Sequence, residues 1–261
     1  MQDINAKELK HTALLVVSAD NMDRRNVPLW YFCYGSNMAQ SVFTKKRRIN
    51  PLCTKVATIK DYVLAFNVLQ MPYSEPGMAG IRRRTSDDDT KGTPSVVGVV
   101  YQLCESDLAR VIATEGGGIA YTVIEVEAVL IEDDSPHPIL VWTLVPRMPH
   151  PVERLPSSRY MGLLISGAAE QNLPSEYRAF LAVHATLSPS PGRRYAIGKR
   201  LFQTFWLPVG FGLQWSLQRL VNSEGVAPVW FVAVVGFLSK TMWLWHDYVH
   251  SKIWGRGDGL V

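Results

Sequence analysis

Two short stretches hold residue types that could do chemistry. The first is Tyr31-Phe32-Cys33-Tyr34-Gly35-Ser36-Asn37-Met38, an apolar aromatic run that breaks into Gly-Ser-Asn. Its first half has the composition of a buried strand, and its second half reads as a turn. Gly35 has no Cβ, so unusual dihedrals are open to it and a ligand can come close. Ser36 and Asn37 add side-chain hydrogen-bonding groups beside backbone N–H donors. A turn of this kind can cradle a carboxylate or a carbonyl oxygen. It lacks the Gly-Lys-Ser/Thr of a Walker loop, and it is not a dinucleotide fingerprint. The second stretch is Glu115 followed by Gly116-Gly117-Gly118. Three glycines let the chain bend tightly and leave space over the carboxylate, which could then exchange protons with a bound group. The residues alone also allow plainer readings: an ordinary strand end, and a surface acid at the end of a helix.

The elements that must hold these residues follow from local pattern. A strand over 29–34 after Pro28 precedes the first turn. A short helix from Met38 to Arg48, with Asn37 as its N-cap, would aim free N–H groups at whatever the turn holds. Lys45-Lys46-Arg47-Arg48 is read as a solvated face, because no aromatic residues interleave it. Residues 54–69 are largely apolar on both alternating faces and read as buried strands. Met71 to Met78, with Pro72, Pro76 and Gly77, reads as a loop. Val96 to Leu103 is a β-branched strand, and Ser106 can cap a helix through Ala113 ahead of Glu115. Tyr121–Leu130 alternates as a strand with Glu125 and Glu127 toward solvent, and Ile139–Val145 completes a hairpin with it. Helices are expected over 158–169 and 175–185.

Composition narrows the function classes. A chain of 261 residues can hold one sizeable domain and an appendage. The net charge of +4 is small and scattered, which argues against nucleic-acid binding. Cys33, Cys53 and Cys104 have no CxxC spacing and read as buried free thiols of a reducing compartment. Met1 to Lys10 is polar and has no apolar h-region, so no signal peptide is expected. Asp87-Asp88-Asp89 lacks the closing glutamate of an EF-hand loop and reads as exposed loop. His246 and His250 lie at i, i+4 without the glutamate of HExxH, so an interfacial or surface role is expected for them.

Tyr34-Gly35-Ser36-Asn37-Met38 after an aromatic strand resembles the signature of the γ-glutamylcyclotransferase family. Gly80-Ile81, Val97-Gly98-Val99-Val100-Tyr101, Glu115-Gly116 followed by Tyr121, and Tyr160 ahead of Gly167-Ala168-Ala169-Glu170 match the family in the same order. Together they cover about residues 28–185. The resemblance implies an α+β fold: a mixed β-sheet or barrel with helices packed outside, occupying 28–187. It implies Glu115 as the acid/base. It implies substrate contacts from Tyr31, Phe32, Cys33, Tyr34, Gly35, Ser36, Asn37, Gly80, Ile81, Tyr121 and Tyr160. No metal or cofactor is implied; the ligand is a small γ-glutamyl compound. Two departures touch the pocket. Arg82-Arg83-Arg84 follows Gly80-Ile81 where small or neutral residues are usual, and one of these arginines could meet an extra substrate carboxylate. Thr143 stands where the family often has a tyrosine near substrate. The altered pocket and extended tail are similar to fungal members that act in sulfur-toxin pathways, where the γ-glutamyl unit is trimmed from glutathione adducts.

The remainder is organised as a leader over 1–27, a Pro/Ser-rich linker over 188–200 and a hydrophobic segment over 201–261. Val226 to Trp245 has the roughly 20 residues needed to span a bilayer. Trp230, Trp243 and Trp245 lie near its ends. Phe205 to Leu217 is a second apolar stretch, broken by Pro208, Gly210 and Gly212. A membrane contact through 226–245 and 205–217 is therefore expected for a cytoplasmic catalytic domain, with Lys240 speaking for a helical pair packed on protein instead. A homodimer stays open. The competing function is a membrane-tethered binding or scaffold protein on an inactive cyclotransferase fold.

Overall fold

The computed structural model describes residues 28–131, 137–190 and 192–260; the leader expected over 1–27 lies outside them. The described residues form seven strands: β1 Leu29–Cys33, β2 Cys53–Ile59, β3 Tyr62–Met71, β4 Glu75–Arg83, β5 Val96–Leu103, β6 Tyr121–Leu130 and β7 Pro138–Pro146. Five close a barrel in the order β1-β5-β2-β6-β7, and β3 and β4 form a separate hairpin. The barrel closes by a parallel pairing of β1 with β7, in which Phe32 faces Thr143. Every other barrel pairing is antiparallel. Closure leaves no free edge on this sheet, which suits strands as apolar as Val96-Val97-Gly98-Val99-Val100.

Outside the barrel lie α1 Ser86–Lys91, α2 Glu105–Thr114, α3 Ser158–Glu170, α4 Ser175–Ala182, α5 Arg193–Leu220, α6 Val229–Trp245 and α7 Ser251–Trp254. This is the α+β architecture expected, with a helical C-terminal segment. The main core joins the barrel to α3 and α4 through Phe32, Phe43, Phe66, Met161, Leu164 and Leu181.

Several local expectations are corrected. The stretch after the first turn is a 3-10 turn over Ser36–Met38 and a π turn over Ser41–Lys46, and Asn37 does not cap it. The expected loop at Met71–Met78 is partly strand, because β4 begins at Glu75. Pro76 is tolerated there since β4 pairs with β3 alone, which leaves its other edge without a ladder. The acidic stretch is helix α1, closed by a capping box between Thr85 and Asp88 and ended by Gly92 at φ 65°. The second helix caps at Cys104 rather than Ser106.

The C-terminal segment is not a detached tail. α5 starts at Arg193, within the stretch expected as linker, and runs through Pro208 to Leu220. The end of the chain is fastened to the barrel domain. Trp243 Nε1 donates to Gln70 O at 3.1 Å, and Leu155 N donates to Gly259 O at 2.8 Å. Arg154 pairs with Asp258 at 2.8 Å, both side chains being buried. His246 and His250, expected in an interfacial or surface role, are buried among Tyr73, Phe202 and Trp243, and His250 Nε2 lies 2.9 Å from Gly198 O.

Candidate active site

A cavity of about 410 Å³ opens where the first turn, the end of α2 and the helices α5 and α6 meet. This lies within the size range of small-molecule sites, about 300–1,000 Å³. Glu115 is the C-cap of α2, and its N–H still donates to Val111 O. The next three residues turn away in the left-handed region, with φ of 99° at Gly116, 58° at Gly117 and 82° at Gly118. A side chain at these positions would be strained, which is the physical reason for three consecutive glycines. The carboxylate is 20% exposed and lines the cavity. Among the described residues it is the sole acid that does so.

Two donors fix it, and both meet the same oxygen. Asn37 Nδ2 donates to Glu115 Oε1 at 2.8 Å, and Arg47 Nη2 donates to that oxygen at 2.5 Å. Arg47 Nε donates to Asn37 Oδ1 at 2.7 Å, closing a triangle of amide, guanidinium and carboxylate. Oε2 accepts no hydrogen bond among the described residues. One oxygen is therefore held while the other is left for a proton. Asn37 reaches this position because the 3-10 turn carries it off the end of β1, and Tyr101 Oη donates to its backbone oxygen at 3.2 Å. Arg47 reaches it as the C-cap of the π turn. It was grouped in the sequence with a solvated basic face; its side chain is only 10% exposed.

Four tyrosines line the cavity beside this triangle. Tyr31 Oη accepts from Asn37 Nδ2 at 3.3 Å, and Tyr34 Oη donates to Leu144 O at 2.5 Å. Tyr121 Oη donates to Ala79 O at 2.8 Å, and Ala79 N donates to Tyr160 Oη at 3.2 Å. Burial pushes all four phenols above their ordinary range, so they serve as neutral hydrogen-bonding groups. Tyr160 is placed by the cap of α3, where Ser157 Oγ accepts from Tyr160 N at 3.0 Å.

Of the sequence-derived contacts, Tyr31, Cys33, Tyr34, Gly35, Ser36, Asn37, Tyr121 and Tyr160 line the cavity with Glu115. Gly35 has φ −113°, so no left-handed turn requires it, and a Cβ there would meet Tyr160 Oη at an ordinary contact distance of 3.4 Å. Phe32, Gly80 and Ile81 do not line the cavity. Strand alternation sends Phe32 away from Tyr31 and Cys33 into the core. A Cβ on Gly80 would run into Asn67 Oδ1 and Pro146, and Ile81 is buried in the main core. The three arginines after it are engaged elsewhere. Arg82 makes a two-pronged pair with Asp88 at 2.7 Å, Arg84 pairs with Asp89, and Arg83 lies over the Tyr62 ring. Thr143 is not a pocket residue either, since its hydroxyl donates to Phe32 O across the β1–β7 closure.

The site also includes residues from the C-terminal helices. Gly210, Leu213, Gln214 and Leu217 of α5 and Phe231 and Val235 of α6 line the same cavity. Their connecting loop is bonded to the glutamate turn: Ala227 N donates to Gly117 O at 2.9 Å. Gly225, at φ 78°, lies so close to α2 that a Cβ would stand 2.1 Å from Ala109 O. One further cluster, His246, Asp247 and Asp258, brings ligand-type atoms within 4.8 Å of one another. Arg154 and Arg256 both pair with Asp258, and Arg256 also reaches Asp247. Two guanidiniums already balance these carboxylates, so the cluster reads as a clamp on the chain end rather than a cation site.

Residues 95–181 match the model of the AIG2-like family, and residues 192–253 match the AclK C-terminal domain. The gamma-glutamyl cyclotransferase gliK of Claviceps purpurea is 43% identical over 226 residues, covering 85% of this chain and all of the relative. The gamma-glutamyl cyclotransferase gliK of Aspergillus fumigatus is 31% identical over 245 residues, 88% of this chain and 89% of that one. A solved structure named gamma-glutamyl cyclotransferase superposes with a TM-score of 0.52 at 24% identity, over 64% of this chain and 93% of its own. That superposition bears on fold, and the fungal relatives bear on descent: this chain belongs to the gamma-glutamyl cyclotransferase family.

Proposed function

We propose that the protein releases 5-oxoproline from γ-glutamyl compounds by intramolecular attack of the α-amine. The observation that carries this reading is the Glu115 carboxylate, held by Asn37 and Arg47 through one oxygen only, as the single acid of the described cavity. The substrate's α-amine lies near its own γ-carbonyl, so a five-membered lactam forms once the curled conformer is held. Glu115 Oε2 takes a proton from the α-ammonium, and the freed lone pair attacks the γ-carbonyl carbon. The N–H groups near Gly35 and Ser36 hold the α-carboxylate or the developing oxyanion. Glu115 returns the proton to the leaving nitrogen, the attacking nitrogen gives up its second proton through the same carboxylate, and the tetrahedral intermediate collapses with cleavage of the bond to the leaving nitrogen, which departs as an ammonium beside the neutral lactam. Atoms balance without water, metal or cofactor.

For the natural substrate, the resemblance to fungal sulfur-toxin enzymes favours glutathione-derived conjugates over free γ-glutamyl amino acids. The test is full-length protein with a panel of γ-glutamyl amino acids, glutathione and glutathione S-conjugates, read by mass spectrometry for 5-oxoproline. Release from one or more members is expected. Binding without release from any member would favour the scaffold reading instead. The whole chain is required, because α5 and α6 wall the cavity.

We also propose that the C-terminal helices rest on a membrane surface. Support comes from exposed Phe205, Phe211 and Trp215 on α5 and exposed Trp230, Val234, Phe237 and Trp245 on α6, with Arg193, Arg194 and Lys199 at one flank. The helical stretch Val229–Trp254 is long and apolar enough to cross a bilayer. A crossing would have to pull free Trp243, His250 and the Arg154–Asp258 pair, so contact along one face is the more economical arrangement. In flotation with anionic vesicles the protein is expected to rise with lipid. Phe211→Glu combined with Phe237→Glu is expected to leave it at the bottom. A parent chain that never floats overturns the membrane reading.

A further inference from the structure

We infer that α5 and α6 build the subsite for the group that leaves, and that this subsite takes a bulky apolar amine. The inference rests on the cyclotransferase reading above. The cavity has two kinds of wall. One, from β1, the first turn, the π turn, the end of α2, the start of β6 and the start of α3, carries phenols, an amide, a guanidinium and the acid, and it suits the charged head of a γ-glutamyl group. The other is apolar: Ile119, Leu213, Leu217, Phe231 and Val235, with Gln214 as the polar exception. These apolar residues belong to one cluster centred on Leu217 and Phe231.

The second wall begins beside the reacting atoms. Gly117 is two residues from Glu115, and a Cβ on it would stand 3.0 Å from Leu217 and 3.2 Å from Val221. Glu115 must reach both the α-amine and the departing nitrogen. The bond that breaks therefore points from the polar wall toward the region α5 and α6 enclose. A small hydrophilic leaving group gains little from aliphatic and aromatic side chains. A large apolar one is desolvated by them, and binding energy from this remote part can be used to hold the curled conformer.

The test compares γ-glutamylglycine with γ-glutamyltryptophan, which leave through the same kind of amine and differ in apolar bulk. With the full-length parent, kcat/KM is expected to favour the tryptophan compound by about 10-fold or more, the scale of discrimination by apolar pockets. Val235→Asp places a charge on the wall, and Leu213→Trp fills it; both positions are partly exposed, so core loss is limited. Each variant is expected to lower the tryptophan-to-glycine ratio about 10-fold, with thermal unfolding measured alongside. If Val235→Asp does not fold, Leu213→Trp carries the comparison. Equal turnover of the two substrates by the parent, or an unchanged ratio in a folded variant, overturns the subsite while leaving the activity standing. Release of 5-oxoproline from neither substrate, nor from the wider panel, overturns the activity on which the subsite rests.

Discussion

Glu115→Gln is expected to fold like the parent chain and to release 5-oxoproline about 10²–10⁴-fold more slowly, the usual contribution of a positioned general acid–base group. The geometry makes this substitution unusually clean. Oε1 is the oxygen that accepts from Asn37 Nδ2 and Arg47 Nη2, and a glutamine carbonyl oxygen can accept both. The change falls on the other position, where an amide nitrogen replaces Oε2. An amide there donates and cannot take the α-ammonium proton, so the nucleophile stays protonated. Folding should be unaffected because the α2 end is fixed through the backbone, by Glu115 N to Val111 O and Gly117 N to Ile112 O. The readouts are single-turnover 5-oxoproline release and thermal unfolding. Parent-like turnover in folded Glu115→Gln would remove Glu115 from the mechanism, and the described lining holds no second carboxylate to take its place.

What could be read from the chain was mostly what is local. The barrel strands β1, β5, β6 and β7 were visible as apolar or alternating runs. The Tyr34–Asn37 turn was visible as a break in one. Parity within β1 also held information that the family pattern overrode: Tyr31 and Cys33 share a face and Phe32 takes the other, so all three could not line one pocket. The Thr85–Asp88 capping box was likewise present in the sequence, as threonine with an acid three residues on, and it explains why the acidic run is helix and not loop. It also accounts for Arg82, since the same aspartate that caps α1 takes that guanidinium from the pocket mouth.

Other features depend on contacts far apart in the chain. Glu115 owes its placement to Asn37, 78 residues earlier; the glycine run marks the acid in the sequence, but the plain reading as a helix-end acid stood beside it until the family resemblance was added. The apolar wall depends on the Ala227–Gly117 hydrogen bond and on the fit of Gly225 against α2, neither of which leaves a periodic trace. Hydropathy marked α6 as a membrane candidate because composition cannot tell a face that meets lipid from one that meets a cavity. The described helix has a cavity face and an exposed face: Phe231 and Val235 turn inward, while Trp230, Val234 and Phe237 are exposed.

Arg47 is the residue whose role the sequence most obscured, and its removal should have the second largest effect. In Lys45-Lys46-Arg47-Arg48 it has three basic neighbours and no distinguishing spacing. The π turn over Ser41–Lys46 brings it round so that its guanidinium spans two partners, Asn37 Oδ1 through Nε and Glu115 Oε1 through Nη2. Arg47→Ala deletes both bonds and leaves the Glu115 carboxylate with Asn37 alone. Hydrogen bonds to charged groups contribute about 1.5–3 kcal/mol, so kcat/KM is expected to fall on the order of 10²-fold. Arg47→Lys keeps the charge but offers one ammonium where a planar fork is needed, and about 10-fold is expected. Because Asn37 and Arg47 hold the same oxygen, Asn37→Ala and Arg47→Ala should combine to less than the product of their separate losses. Added guanidinium ion should restore part of the Arg47→Ala loss and none of the Glu115→Gln loss. A merely structural arginine would show neither response: its loss would add independently of Asn37 and would track thermal stability rather than guanidinium concentration.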